Sequence, residues 1–251
     1  MRDPTSILIT GASSGIGAAL ARHYARPGVT LHLGGRDRER LEMVSRTCLD
    51  QGAQVVWRRV DVTDRQAMCR WIDEADAAAP ISLGIANAGI SRYLGPDDPE
   101  ASLRAFDEVV AVNLTGAANT AFPLLRPMRL RGRGQIVLIG SMAGWRGFPT
   151  SPGYSASKAG VRALAQALRA RVWGDGVAVA LVEPGMIDTP MLAGLKAPKL
   201  FVLSAEKAAA VIARRLAAGE PEIAFPWPLV ALEYLLLALP KRAADRILAR
   251  W

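Results

Sequence analysis

The chain has 251 residues, 51% of them hydrophobic, with a formal charge of +8 and a pI near 10.1. That length bounds it to one domain with a large buried core. The basic residues are scattered and show no aromatic-interleaved patch, and 26 arginines against 5 lysines read as compositional bias, so a nucleic-acid-binding class is set aside.

The chain opens Met1-Arg2-Asp3-Pro4 directly before an apolar run, which leaves no room for a signal peptide. Strand-like runs are predicted at 5–10, 29–34, 54–60, 83–86, 134–140, 176–182 and 222–225. Helical patterns fall between them, at 15–26, 37–51, 64–79, 100–127, 154–173 and 204–218. Strict alternation of this kind predicts an α/β fold, a Rossmann-like doubly wound parallel sheet of about seven strands with helices on both faces. Cys48 and Cys69 lie in predicted helices and read as free thiols of a cytoplasmic protein. His23 and His32 have no ligand-like company, so no metal is expected.

The first strand ends at Thr10 and runs into Gly11-Ala12-Ser13-Ser14-Gly15-Ile16-Gly17, then a helix former, Ala18-Ala19-Leu20-Ala21-Arg22. Strand, glycine-rich turn and helix N-terminus in that order make an anion cradle: glycines allow a tight turn and close backbone approach, and free helix N–H groups point at the anion. The spacing is Gly-x3-Gly-x-Gly, unlike the Gly-x-Gly-x-x-Gly of ordinary dinucleotide domains. Further along, Tyr154 and Lys158 stand four residues apart at the start of a helical pattern, so their side chains share a face. A phenol has a reference pKa of about 10. A cation about 4 Å away, at an effective dielectric of about 20, contributes on the order of 4 kcal/mol and lowers that pKa by about 3. Such a tyrosine can donate or accept a proton near neutrality.

Together, Thr10 to Gly17, Asn87-Ala88-Gly89 and the Tyr154/Lys158 pair resemble the short-chain dehydrogenase/reductase family, over nearly the whole chain from Thr5 to about Phe225. The resemblance implies an enzyme that transfers hydride between a nicotinamide coenzyme and a carbonyl or secondary alcohol. It implies a catalytic set of Asn113, Ser141, Tyr154 and Lys158, with Tyr154 13 positions after Ser141 as the family expects. Ser13, Ser14 and Ile16 are expected around the pyrophosphate, with Gly11, Gly15 and Gly17 shaping the turn. Asp61 is expected to meet the adenine amino group beside Val62. Asn87, Ala88 and Gly89 would leave space for the adenosine ribose, and Pro184, Gly185, Ile187 and Thr189 would pack on the nicotinamide and its carboxamide. Where an acid at the second strand end would favour NAD, Gly35 stands here and Arg36 follows, which favours NADP(H) with Arg38 assisting. Asp37 takes the acidic role instead if the strand ends two residues later.

Substrate contacts are expected from Arg92-Tyr93-Leu94, from Met142 to Phe148, and from Met191 to Leu195. Trp145, Phe148, Met191 and Leu192 suggest an apolar substrate, and Arg146 a contact to an anionic group. The domain reading is a coenzyme-binding and catalytic unit over 1–225 and a helical tail over 226–251. The tail carries the apolar run 229–239, interrupted by Glu233 and about half the ~20 residues a membrane span needs, then a basic amphipathic stretch ending at Trp251. It packs on its own domain or a partner subunit, or rests on an anionic membrane surface. A homodimer or homotetramer follows from the resemblance. Rival functions are a ketoacyl-thioester reductase of lipid metabolism and a coenzyme-binding interaction protein without turnover; the second would be expected to have lost Ser141, Tyr154 or Lys158, and all are present. An epimerase or dehydratase relative would need a larger substrate domain than this length allows.

Overall fold

The computed structural model describes residues 3–92, 99–194 and 199–249. Tyr93, Leu94, Leu195 and Trp251, named above, lie outside the described residues. The first half alternates β1 (Ser6–Thr10), α1 (Gly15–Tyr24), β2 (Thr30–Gly35), α2 (Arg38–Asp50), β3 (Gln54–Arg59), α3 (Arg65–Ala78) and β4 (Leu83–Ala86). The second continues with α4 (Pro99–Val110), a π turn at Ala111–Thr115, α5 (Gly116–Leu130), β5 (Gly134–Ile139), a 3-10 turn at Met142–Gly144, α6 (Pro152–Arg171) and β6 (Val177–Pro184). Then come the two-residue β7 (Ile187–Asp188), α7 (Pro190–Ala193), the two-residue β8 (Leu203–Ser204), α8 (Ala205–Ala217), β9 (Glu222–Phe225), α9 (Trp227–Ala238) and α10 (Lys241–Leu248).

Seven strands form one parallel sheet in the order β3-β2-β1-β4-β5-β6-β9. Central strands of such a sheet are covered on both faces and so read as unbroken apolar runs. Ile7, Leu8 and Ile9 of β1 are all fully buried, whereas the edge strand β3 leaves Val56 half exposed. One core cluster lies beneath α1, α2 and α8, through Leu20, Leu41 and Ile212. The other lies beneath α3, α5 and α6, through Trp71, Leu124 and Val161. Helix α3 approaches the sheet closely where β2 lacks a side chain: a Cβ on Gly34 would fall 2.4 Å from the Trp71 ring.

The expected single helix over 100–127 is divided. The π turn separates α4 from α5 where the buried Asn113 side chain reaches out of the helix to the chain at Ile90. A π turn of this kind commonly marks a functional position. The β7–β8 pair, Ile187 with Leu203 and Asp188 with Ser204, was not expected from the sequence; strands this short leave no periodicity to read.

Candidate active site

The strand order reverses between β1 and β4, so a crevice opens beyond their carboxyl ends. Thr10 and Asn87 follow those ends and tie the two lips together. The Thr10 hydroxyl accepts from the Asn87 N–H at 3.1 Å, and the Asn87 amide donates to the carbonyls of Thr10 at 2.9 Å and Gly11 at 3.2 Å. Gly11 turns with φ +66°, a conformation that side chains resist. A Cβ on Gly17 would fall 2.3 Å from the Gly11 carbonyl oxygen, so the first turn of α1 lies directly against the loop. Ser14 precedes α1 without a side-chain cap bond, leaving the helix N-terminus facing the crevice.

The second strand extends through Gly35, which fixes the roles of the residues after it. Asp37 caps α2, accepting from the Arg40 N–H at 3.1 Å, and pairs with the Arg40 side chain at 3.2 Å. It is engaged by its own helix, two residues past the strand end, and also lines the crevice. The Arg38 side chain bonds Glu42 at 2.8 Å and lies over the Trp57 ring, away from the residues that line the crevice. Arg36 does line the crevice, half-exposed, with its guanidinium 4.0 Å from Asp61. Asp61 folds one carboxylate oxygen onto the Thr63 N–H and hydroxyl at 2.9 and 2.8 Å, while Asp64 caps α3. The Val62 carbonyl accepts from Asn119 at 2.9 Å.

Tyr154 and Lys158 occupy successive turns of α6, and Lys158 Nζ lies 5.6 Å from the Tyr154 ring centroid. Lys158 is buried, donates to the Ile139 carbonyl at 2.8 Å, and has its pKa pushed down to about 8 by that burial. Ser141 follows β5 and caps the 3-10 turn; its Oγ accepts from the Ala143 N–H at 3.1 Å. That turn lies against α6, because a Cβ on Gly144 would fall 2.7 Å from the Lys158 carbonyl carbon. Ser141, Tyr154 and Lys158 line one cavity of about 570 Å³ with Gly11, Asp61 and Asn87. Asn113 lies behind the wall: its amide oxygen accepts from the Ile90 N–H at 2.8 Å, and its nitrogen donates to the Ile90 carbonyl and the Ser157 hydroxyl, both at 3.0 Å.

A sequence model of the short chain dehydrogenase family matches residues 5–199. An uncharacterized oxidoreductase of Myxococcus xanthus is 32% identical over 95% of this chain and 94% of its own. The cis-4-hydroxycyclohexanecarboxylate dehydrogenase of Sinomonas cyclohexanicum is 36% identical over 82% of this chain and 83% of its own. Among solved structures, a short-chain dehydrogenase from Sphingobium yanoikuyae in complex with NADPH superposes with a TM-score of 0.80 at 26% identity, over 94% of this chain and 97% of that one. The alcohol dehydrogenase of the archaeon Thermococcus sibiricus, complexed with 5-hydroxy-NADP, gives 0.77 at 27% identity, over 88% and 95%.

The protein belongs to the short-chain dehydrogenase family. It is an NAD(P)-dependent oxidoreductase with the single Rossmann-like domain of that family. The crevice of this short-chain dehydrogenase fits a dinucleotide. Its floor at Gly11 and Gly17 is closed to side chains, the α1 N-terminus is open to an anion, and the Cβ position of Gly35 is clear of backbone. Ser13, Ser14, Gly15, Ile16, Ala88 and Gly89 line the same cavity, while Gly17 supports it from behind. Pro184, Gly185, Ile187 and Thr189 form the opposite wall, and a Cβ on Gly15 would touch the Thr189 methyl at 3.0 Å.

Two expected substrate contacts are corrected. Trp145 stands against the Tyr234 ring of α9, with centroids 5.0 Å apart, and under the Arg162 guanidinium at 5.1 Å. Arg146 bonds Asp245 of α10 at 2.6 Å. Both anchor the tail, and Phe148, Met191 and Leu192 line the cavity. Arg92, from the first expected segment, is paired with Glu108 of α4 at 2.7 Å.

The tail folds back onto the domain: a Cβ on Gly185 would meet the Leu229 side chain at 2.5 Å. Leu229, Leu232, Glu233, Leu236, Ile247 and Leu248 complete the cavity wall. None of these was read as a site residue from sequence. The one available signal was an acid inside an apolar run, at Glu233.

Proposed function

We propose that the protein interconverts a carbonyl and a secondary alcohol on a small apolar substrate, with NADP(H) preferred over NAD(H). The observation that carries this reading is the convergence of Ser141, Tyr154 and Lys158 on one cavity wall beside the glycine crevice. The bound nicotinamide would supply or accept the hydride.

The protein's own groups handle the oxygen and its proton. Ser141 Oγ already accepts one hydrogen bond from Ala143, so its own proton is free to be donated to the carbonyl oxygen, where negative charge develops. Tyr154 supplies the proton in reduction and takes it in oxidation. Lys158 favours the phenolate by its charge and would hold the nicotinamide ribose. Asn113 has both polar atoms of its side chain engaged by Ile90 and Ser157, so its part is played by backbone in the π turn, keeping a water near Lys158.

Coenzyme preference follows from the strand end. Gly35 offers no carboxylate to a ribose hydroxyl, Asp37 is engaged with Arg40, and Arg36 faces the crevice with only a 4.0 Å pairing to give up. Asp61 keeps its second carboxylate oxygen for the adenine. The substrate end is apolar, lined by Phe148, Met191, Leu192 and the tail leucines. The outward residues of α9, among them Trp227 and Leu235 at 78 and 63% exposure, suit a second copy of the chain in a dimer or tetramer, in preference to a membrane surface.

A screen of ketones and alcohols, followed at the reduced-nicotinamide absorbance, tests the reading. Turnover with NADPH well above that with NADH is expected. Absence of turnover with either coenzyme across the whole panel would overturn it.

A further inference from the structure

Helix α9 is apolar at nearly every position, and its one acidic residue faces inward. Glu233 is 6% exposed and lines the same cavity as Ser141 and Tyr154, beside Leu229, Leu232 and Leu236 of its own helix. Its Oε2 has no hydrogen-bond partner among the described residues. The cation acting on it, Arg146, is committed elsewhere: its guanidinium bonds Asp245 at 2.6 Å and the Lys241 carbonyl at 3.4 Å. A buried carboxyl without a partner is costly, more so on a helix whose other wall positions are leucine. A missing partner at a cavity wall is one that a ligand can supply.

We infer that Glu233 sets substrate choice by taking a hydroxyl carried on an otherwise apolar substrate, remote from the reacting carbon. This rests on the hydride-transfer reading above and names its substrate class: hydroxy ketones and the corresponding diols. A hydroxyl suits both protonation states of the carboxyl, donating to the carboxylate and accepting from the acid. Both states occur near neutrality, because burial pushes the Glu233 carboxyl up to about 7 against the opposing pull of Arg146. An ammonium satisfies only the carboxylate and meets repulsion from Arg146. An alkyl end leaves the carboxyl unpaired.

The test is a matched series of methyl ketones whose far end is methyl, hydroxyl or ammonium, compared by kcat/KM in wild type, Glu233→Leu and Glu233→Gln. Wild type is expected to favour the hydroxyl over the methyl ketone by about tenfold. Glu233→Leu is expected to lower that ratio by about tenfold, and Glu233→Gln, whose amide also donates and accepts, to retain most of it. A merely structural role would change all the ketones together and leave the ratio standing. A ratio unchanged in Glu233→Leu, or a wild-type preference for the methyl or ammonium ketone, overturns the inference while leaving the reaction class intact. If Glu233→Leu does not fold, the wild-type order of the three ketones decides alone. Failure of wild type to turn over any ketone or alcohol with either coenzyme overturns the hydride-transfer reading itself, and this inference with it.

Discussion

Lys158 donates from Nζ to the carbonyl oxygen of Ile139 at 2.8 Å, joining α6 to the end of β5. The ammonium so held lies 5.6 Å from the Tyr154 ring centroid. It also buries a positive charge, and burial pushes the lysine down to about 8.

That displacement has a sign in stability. Between about 8 and the ordinary 10.5, the unfolded lysine holds a proton that the folded one has released, so this group's contribution rises as pH rises through the window. Burial also pushes Cys48 up to about 11 from 9.0 and Tyr24 up to about 12 from 10.0, and each removes stability as pH climbs past its ordinary value. The useful interval is therefore about pH 7.5 to 9. Across it, without coenzyme, wild type is expected to gain about 1 kcal/mol relative to Lys158→Met in denaturant unfolding. A parallel pair of stability curves would show that the lysine is not desolvated.

Tyr154→Phe keeps the ring and removes the hydroxyl. Turnover is expected to fall by about a thousandfold, within the range general acid–base groups supply. Coenzyme affinity, measured by fluorescence titration, should stay within about threefold, because the glycine crevice is untouched. Full activity in this variant would displace the phenol from the reaction.

Arg36→Ala separates the two coenzymes. Loss of a charge-assisted phosphate contact is expected to raise the KM for NADPH by about 10- to 100-fold, with NADH changed by less than about threefold. Equal weakening of both would count against a 2′-phosphate contact.

The tail is tied to the domain by Trp145 against Tyr234 and by Arg146 to Asp245. Removing residues 229–251 strips the leucine wall from the cavity along with the exposed face of α9. The truncated protein is expected to elute as a smaller assembly in gel filtration and to show a raised KM for apolar ketones. An unchanged elution profile, together with unchanged liposome sedimentation, rejects a role for this face in assembly or at a membrane.

The sheet was legible because parallel strands covered on both faces are continuous apolar runs. The predicted 83–86 and 222–225 coincide with β4 and β9, and the other strand ends lie within two residues of their predicted positions. The glycine loop was legible because its turn requires residues without a Cβ. Asn113 was named by resemblance, but its π turn was not foreseen, since the side chain that accompanies it bonds Ile90, 23 residues away. Trp145 and Arg146 were assigned to substrate because they follow Ser141; their partners, Tyr234 and Asp245, are nearly a hundred residues further along the chain.

Local pattern by itself determined the alternation of elements, the anion-cradling turn and the one-face placement of Tyr154 and Lys158, because each depends on residues within a few positions of one another. Tertiary structure alone decided that the tail closes the cavity, that Asp37 is engaged by its own helix, and that Glu233 faces inward among leucines. Those outcomes depend on which distant surfaces meet and on how much water their meeting excludes, and neither quantity is written in the spacing of residues along the chain.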